Sequence, residues 1–351
     1  MKLTDICEFH GGSQPPKSEW SSEYKDGYIR MLQIRDFTQE GRVTPEYVKI
    51  SNRLRLCTED DILIGRYGAS VGKILSGKSG AYNVAIMKAV PDTSVVRKQY
   101  LRYYFLSPNF QNYILNLGGR AAQAGFSKDD LARLEITVVS LEEQDKIVNE
   151  LSTLEKTIST KQKQLKEFDD LVKSRFIEMF GDPQNNNKQF PTKKLIDVVT
   201  LQRGHDLPVQ NRDSHGSVPV YGSNGVLGFH TIAKCDRGII TGRSGTIGEV
   251  YVSEEPFWPL NTTLYSNNTH GNNLIYLKYL LMFFNLKRFK SGAGVPTLNR
   301  NEFHGKEIMD VPIELQNEFA DFVKLIDKSK FVGYFTLNIF YVKSSHFHHP
   351  P

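Results

Sequence analysis

Residues 141–181 read LEEQDKIVNELSTLEKTISTKQKQLKEFDDLVKSRFIEMFG. The stretch contains no proline, and its only glycine is the last residue, Gly181. Apolar residues recur in it at steps of three and four, which is the spacing of a helix that buries one stripe in a coiled coil. We therefore predict a single long helix, about 58 Å in length at 1.5 Å per residue.

The predicted helix has a seam of seven apolar residues, with Lys161 at the one position that is not apolar. The seven are Ile147, Leu151, Leu154, Ile158, Leu165, Phe168 and Val172. Such a stripe must be buried for the helix to be stable, and the segment that starts at Glu314 is its natural partner. The heptad pattern of that partner stops near Lys330, so we expect a second helix that is cut short.

The residues on the two sides of the long helix repeat each other. The matched pairs, in the same order in both copies, are KLTDI at 2–6 with KLIDV at 194–198, GRYG at 65–68 with GRSG at 242–245, Asn83 with Asn261, YLRY at 100–103 with YLKY at 276–279, and LEEQ at 141–144 with IELQ at 313–316. Between these matches lie short runs rich in Ile, Val and Tyr that favour strands, separated by turn residues. We predict a tandem duplication of one globular unit.

The predicted fold class is α+β, with two tandem mixed α/β domains separated by long helices. The predicted boundaries are 1–140 for the first domain, 141–181 for the central helix, 182–193 for a linker, 194–312 for the second domain, 313–330 for the start of the second long helix, and 331–351 for a truncated or disordered tail.

Composition narrows the possible functions. The chain has 351 residues with 44 basic and 39 acidic side chains, a net charge of +5, which permits nucleic-acid binding without requiring it. Its three cysteines are far apart in sequence, so we expect no disulfide framework, no metal site and a cytoplasmic location. No apolar run reaches the length of a membrane-spanning helix, so we expect no membrane partner.

Residues 72–79, GKILSGKS, match the P-loop pattern. A P-loop needs a helix directly after it, whereas AYNVAIMKAV at 81–90 predicts a strand. A nucleotide-hydrolysing enzyme is therefore the weaker alternative, and a coiled-coil scaffold or adaptor with two protein-binding domains is another. Because no catalytic motif occurs in both copies, we predict a non-catalytic protein.

The arrangement resembles the specificity (DNA-recognition) subunits of type I restriction-modification systems. The resemblance rests on the repeated segments above, on SRFIEMFGDP at 174–183 where the long helix ends, and on YGSNG at 221–225. It implies two target recognition domains that each read one half of a bipartite site in double-stranded DNA. It also implies an antiparallel coiled-coil spacer that binds two methyltransferase (modification) subunits, to which restriction (translocase) subunits are added. S-adenosylmethionine would bind to the methyltransferase subunits, and we expect no cofactor on this chain.

Candidate DNA-binding residues are the polar, aromatic and basic side chains near the glycine turns, because hydroxyl, amide and guanidinium groups bind phosphates and base edges. In the first domain they are Gln33, Arg35, Arg66, Tyr67, Lys73, Arg120, Gln123 and Lys128, and in the second they are Tyr221, Ser223, Asn224, Arg243, Ser244, Lys290, Asn299 and Arg300. The turns themselves contain Gly65, Gly68 and Gly72 in one copy and Gly242, Gly245 and Gly248 in the other. Arg66 and Arg243 form the best pair, since the repeat places both in the same turn.

Overall fold

The structure of the protein is a computed structural model that describes residues 1–39, 41–117, 125–213, 215–292 and 294–346, with the backbone alone at 332 and 334–346. The chain divides into two compact units. The first comprises Met1–Ser159 together with Asn338–Pro351, and the second comprises Thr160–Leu337.

The first unit contains a five-stranded and a four-stranded sheet. Its strands are β1 (Cys7–Gly11), β2 (Trp20–Ser21), β3 (Tyr28–Leu32), β4 (Tyr47–Lys49), β5 (Leu56–Cys57), β6 (Ile62–Gly65), β7 (Ile74–Leu75), β8 (Gly80–Tyr82) and β9 (Ile86–Pro91). The strand orders are β2-β4-β3-β8-β5 and β1-β9-β6-β7. The strands are short because glycine and polar turn residues interrupt each β-branched or aromatic run.

The first unit has four short helices, α1 (Ile34–Thr38), α2 (Lys98–Leu106), α3 (Pro108–Leu117) and α4 (Lys128–Leu131). Three of them, α2 to α4, pack on its four-stranded sheet, and α1 packs in a separate cluster with residues of both sheets. Phe105 of α2 and Phe110 of α3 are fully buried, with ring centroids 4.7 Å apart. Both belong to one apolar cluster with Phe9, Ile62 and Ile64 of the sheet. This cluster is the core of the unit.

The second unit has the same kinds of elements. Its strands are β10 (Thr192–Lys194), β11 (Thr200–Arg203), β12 (Val218–Gly222), β13 (Gly225–His230), β14 (Gly238–Gly242), β15 (Val250–Ser253), β16 (Trp258–Pro259), β17 (Thr263–Asn268), β18 (Lys290–Ser291), β19 (Thr297–Leu298) and β20 (Glu307–Met309). Its short helices are α6 (Leu195–Val198), α7 (Leu274–Phe284) and α8 (Asn301–His304). The main sheet has the order β11-β17-β14-β15, and a smaller sheet has the order β13-β12-β16.

The four-stranded sheets of the two units share one topology. In both four-stranded sheets the first strand pairs with the last, the last with the second, and the second with the third, and every pairing is antiparallel. The repeated Gly-Arg segments follow equivalent strands, β6 in the first unit and β14 in the second. The mixed α/β fold and the duplication predicted from the sequence are therefore both confirmed.

Two long helices complete the fold: α5 (Leu141–Phe180) and α9 (Ile313–His346). In the second unit they run antiparallel. Lys330 of α9 donates to Asp169 of α5 at 2.6 Å, while Arg175, further along α5, donates to Glu318, an earlier residue of α9, at 3.0 Å. The predicted helix and its antiparallel partner are thus present.

The seven predicted seam residues are all buried or half-buried, with Leu165 and Val172 buried. Lys161, at the missing position of the seam, is half-buried as well. Past the predicted seam, Phe176 and Phe180 of α5 are fully buried, and the Phe176 ring lies 5.4 Å from that of Phe319 in α9. Aromatic packing therefore extends the helix pairing to the end of α5.

The segment after Lys330 differs from its prediction. Helix α9 continues through 331–346, so a disordered tail was wrong for these residues, and 347–351 lie outside the described residues. No proline interrupts Ile313–His346, so the helix continues although the heptads stop. Its one glycine, Gly333, lies against α5, where a Cβ atom would be 3.2 Å from Leu165 Cδ2.

Candidate nucleic-acid interface

Each unit has a tight turn directly after the second strand of its four-stranded sheet. A Cβ atom on Gly65 would lie 2.1 Å from the Ser70 carbonyl oxygen, and one on Gly242 would lie 1.7 Å from that of Thr246. Only glycine fits at such distances. The remaining predicted turn glycines all have positive φ, namely Gly68 (60°), Gly72 (77°), Gly245 (90°) and Gly248 (94°). The two turns are therefore built in the same way.

The arginine of each turn contacts a loop that belongs to the repeat. Arg66 donates to the carbonyls of Val84 and Phe126, in each case at 3.5 Å, and its guanidinium lies 5.0 Å from the centre of the Tyr67 ring. Arg243 donates through Nε to the Asn261 carbonyl at 2.8 Å. The contacts of Arg66 are at the weak limit for hydrogen bonds. Both side chains are half-buried, so each guanidinium is anchored while part of it faces solvent.

A second segment lies beside each turn. Tyr67 forms an isolated bridge with Gly125, and Ser244 forms one with Thr297. In the second unit the Leu298 N–H also donates to the Arg243 carbonyl at 2.7 Å. These segments continue directly into α4 and α8, so Lys128 and Arg300, two predicted DNA-binding residues, follow the segments that flank the turns.

In the second unit a third segment joins the turn. The two residues that connect β12 to β13 are Ser223, half-buried, and Asn224, exposed. A Cβ atom on Gly245 would lie 3.2 Å from Ser223 Oγ, which places this hairpin against the Gly242–Gly248 turn. The structure thus brings together Ser223, Arg243 and Ser244, which are predicted from separate stretches of sequence.

An open cleft of about 350 Å³ lies next to the same turn. Three arginines line it: Arg203 from the end of β11, Arg243, and Arg300 at the start of α8. The other lining residues are Leu264, Thr297, Leu298, Asn299 and Asn301, none of them acidic. Burial, and to a smaller extent the charge of Arg300, lowers the pKa of His304, whose Nε2 accepts the Leu201 N–H at 3.2 Å.

Sequence reasoning missed Arg203. It lies at the position that aligns with Gly11 when KLTDI at 2–6 is matched to KLIDV at 194–198. An arginine in one copy against a glycine in the other is the signal that could have drawn attention to it.

A buried glutamine joins each long helix to its domain. Gln144 is fully buried, accepts from the Arg97 N–H at 2.7 Å, and donates to the carbonyls of Val95 and Val139 at 3.0 and 2.9 Å. Arg97 is the residue before α2, so the amide fixes the first turn of α5 to the start of a domain helix. The LEEQ–IELQ match in the sequence contains this residue but does not reveal its role.

The second unit repeats the arrangement with Gln316. Its side chain accepts from the Asn273 N–H at 2.9 Å and donates to Asn272 Oδ1 and the Val311 carbonyl at 2.7 and 2.8 Å. Asn273 is the residue that caps α7. In both copies a buried glutamine therefore connects a long helix to its domain through three hydrogen bonds, one of them from the N–H of the residue before a domain helix.

Comparison with known proteins agrees with this duplicated architecture. A family model described as the type I restriction modification DNA specificity domain matches residues 1–168 and 187–331. The chain belongs to this family.

Two curated relatives of this chain come from Methanocaldococcus jannaschii. The type I restriction enzyme MjaIX specificity subunit is 25% identical over 278 residues, which are 72% of this chain and 61% of the relative. The MjaVIII specificity subunit is 23% identical over 216 residues, 58% of this chain and 49% of the relative. The chain spans about half to three fifths of the length of these relatives.

Solved structures of other proteins share the fold of this chain. A crystal structure of a type-I restriction-modification system S subunit from M. genitalium superposes with a TM-score of 0.65 at 16% identity and covers 99% of this chain and 94% of that one. A structure from work on complex assembly and conformational transition of the type I R-M system has a TM-score of 0.57 at 12% identity, with 99% and 98% covered. At these identities the likeness concerns the fold.

Lys73, another predicted residue, closes the first turn, where its carbonyl accepts the Gly65 N–H at 2.9 Å. The remaining predicted residues lie outside the two turns or outside the described residues. Gln33 and Arg35 both donate to Glu46, which neutralises the arginine. Lys73 and Lys290 are exposed, and Tyr221 is half-buried with its ring 5.7 Å from that of Phe257. Arg120 and Gln123 lie outside the described residues.

The P-loop pattern in this chain lacks the geometry that phosphate binding by a P-loop requires. Residues 72–79 contain strand β7 and lead into strand β8, where a P-loop needs a helix that begins at its lysine. Across the described residues, no three His, Cys, Asp or Glu side chains are grouped as metal ligands would be. None of the helices described here is long and apolar enough to cross a membrane.

Proposed function

We propose that this chain is the sequence-specific DNA-binding specificity subunit of a type I restriction-modification complex. It reads a bipartite target and directs methyltransferase and restriction subunits to it. The observation that carries the proposal is that both units end an equivalent strand in the same glycine turn, with an arginine held at the surface by loop carbonyls. The match to the specificity family supports the same role.

Each turn suits base reading in a groove. Glycine lets the backbone approach the DNA closely, and arginine can bind O6 and N7 of guanine together, a pairing that discriminates against a wrong base by about 1–3 kcal/mol. Arg66 and Arg243 occupy equivalent places in two units, so each reads its own half-site. The modest net charge of +5 leaves much of the affinity to contacts at these two places and to the partner subunits.

The long helices supply the assembly surface. Under this proposal they bind two methyltransferase subunits, which carry S-adenosylmethionine, and restriction (translocase) subunits join them in the cytoplasm. The antiparallel pairing of α5 with α9 in the second unit, and the buried glutamine that fixes each helix to its domain, give this surface a rigid base.

Methylation mapping tests the proposal. The full chain is expressed with a methyltransferase subunit of a type I system, and methylated sites are sequenced. Arg66→Ala should weaken one half-site and Arg243→Ala the other, in each case by about 1–3 kcal/mol if a bidentate base contact is lost. Arg237→Ala is the control, since Arg237 is exposed and lies just before β14, at the strand end opposite to Arg243.

Two results would overturn this assignment. If both variants weakened both half-sites equally, the turns would not read separate sequences. If the chain bound the methyltransferase subunit but gave no sequence-dependent methylation, a scaffold function would replace DNA recognition.

A further inference from the structure

The three-arginine cleft of the second unit concentrates positive charge, and none of its lining residues is acidic. Arg203 and Arg300 make no ion pair or hydrogen bond through their guanidinium groups with any described residue, and Arg243 uses Nε on the Asn261 carbonyl. Like charges that line one cleft repel each other, and the buried leucines Leu264 and Leu298 in its wall reduce screening by water. The cleft therefore favours an anion over water.

The first unit has no arginine at the position equivalent to Arg203. There the position of Arg203 is occupied by Gly11, and the guanidinium of Arg66 lies over it, since a Cβ atom on Gly11 would be 3.3 Å from Arg66 Nη1. In the second unit an arginine side chain stands at this position and Arg243 binds the Asn261 carbonyl. The extra charge is thus a property of the second unit, separate from the turn that both units share.

We propose that Arg203 and Arg300 bind a phosphate group of the DNA backbone beside Arg243. The inference rests on the proposed function and deepens it. Arginine binds phosphate oxygens in a bidentate manner, and Thr297, Asn299 and Asn301 add hydroxyl and amide groups to the same cleft. A phosphate contact fixes the position of the protein on the duplex and carries no sequence information. Here it holds Arg243 at its place in the groove.

The salt dependence of DNA binding tests this assignment. The full chain is titrated with a duplex of mixed sequence between about 50 and 200 mM salt. One phosphate contact contributes about 0.9 to the slope of log K against log salt, so the double variant Arg203→Ala/Arg300→Ala should flatten the slope by that amount and each single variant by part of it. The advantage of the wild-type chain over the double variant should then shrink about 3.5-fold across this salt range.

Two control variants sharpen the test. Arg237→Ala removes an exposed arginine of the same unit outside the cleft and should leave the slope unchanged. Arg203→Lys keeps the positive charge and should retain most of the slope, so a slope lost in Arg203→Ala and kept in Arg203→Lys is due to the charge. Methylation mapping of Arg203→Ala should show both half-site sequences unchanged, in contrast to Arg243→Ala. Thermal unfolding of each variant shows that it is folded.

The outcomes separate the two proposals. If the wild-type chain binds DNA with a salt-dependent affinity and Arg203→Ala and Arg300→Ala behave like Arg237→Ala, the phosphate site is refuted and the proposed function stands. If the wild-type chain does not bind DNA, the proposed function fails, and inorganic phosphate then tests the cleft directly: stabilisation by phosphate that is lost in Arg203→Ala supports an anion site. If inorganic phosphate binds but the DNA slope is unaffected, the occupant is a free anion and the backbone assignment is wrong.

Discussion

Replacing Gln316 with alanine should loosen the joint between helix α9 and the second domain. The side chain is 1% exposed and makes three hydrogen bonds, with the Asn273 N–H, Asn272 Oδ1 and the Val311 carbonyl. Alanine removes all three and leaves the Asn273 N–H, Asn272 Oδ1 and the Val311 carbonyl without this partner. The second unit should therefore lose stability while its surface stays unchanged.

The expected loss of stability follows from the number of bonds. A net contribution of about 1 kcal/mol for each hydrogen bond gives about 3 kcal/mol for the three. A typical domain is stable by only about 5–15 kcal/mol, so this is a large fraction. For a unit of this size the midpoint of thermal unfolding should fall by roughly 6–12 °C.

Denaturant unfolding of the full chain measures this loss. Gln164→Ala is the matched control, because Gln164 is exposed on α5 and its one side-chain hydrogen bond among the described residues is accepted from Lys161 at 3.1 Å. It should change stability by less than about 0.5 kcal/mol. Gln144→Ala removes the equivalent bonds of the first unit and should cost about as much as Gln316→Ala. If the two units unfold in separate transitions, each variant should move a different one.

A loss below about 1 kcal/mol for Gln316→Ala would refute the reasoning, since a buried group that supplies three bonds cannot be removed so cheaply. Equal effects of Gln316→Ala and Gln164→Ala would refute it as well. A loss of DNA methylation by Gln316→Ala at unchanged stability would show that the glutamine acts on the partner subunits and not on the joint.

Three further predictions concern the second unit. Gly242→Ala should cost about 1–3 kcal/mol in urea unfolding, because its Cβ atom would lie 1.7 Å from a backbone oxygen. Phe176→Ala should cost about 3–5 kcal/mol in the same assay, since the ring is fully buried among other aromatic rings. The folded pKa of His304 lies below its ordinary value, so as pH falls below about 6.5 the unfolded chain takes up the proton first and stability is lost. His304→Gln should remove this part of the pH dependence.

Each of these predictions has a result that contradicts it. Gly305→Ala serves as the control for the turn, because a Cβ atom there meets nothing within 4 Å; equal costs for both glycines would show that the turn tolerates a side chain. A cost below about 1 kcal/mol for Phe176→Ala would mean that the core closes around the gap. An unchanged pH profile between about 5 and 6.5 in His304→Gln would show that other groups cause the acid sensitivity.

Local patterns in the sequence were enough to predict the secondary-structure elements and the duplication of the domain. The spacing of apolar residues over 141–181 predicts helix α5 because side chains three and four apart share one face of a helix. The GRYG and GRSG segments mark equivalent turns, because a Cβ atom at their first glycine would meet a backbone oxygen in either copy. The tail from 331 was misjudged because the loss of heptads says how a helix packs, and only proline or an unfavourable end stops it.

The sequence by itself determined that the chain is a repeated α/β unit joined by a long helix, since those features depend on neighbours within a few residues. The tertiary structure alone decided which polar groups can act. It paired Arg35 with Glu46, brought Arg203 to the same cleft as Arg243 and Arg300, and buried Gln316 against Asn273. The partners in these contacts are 11 to about 100 positions apart in the chain. Such contacts depend on the path of the backbone through the sheets of each unit. A local pattern of residues does not predict that path.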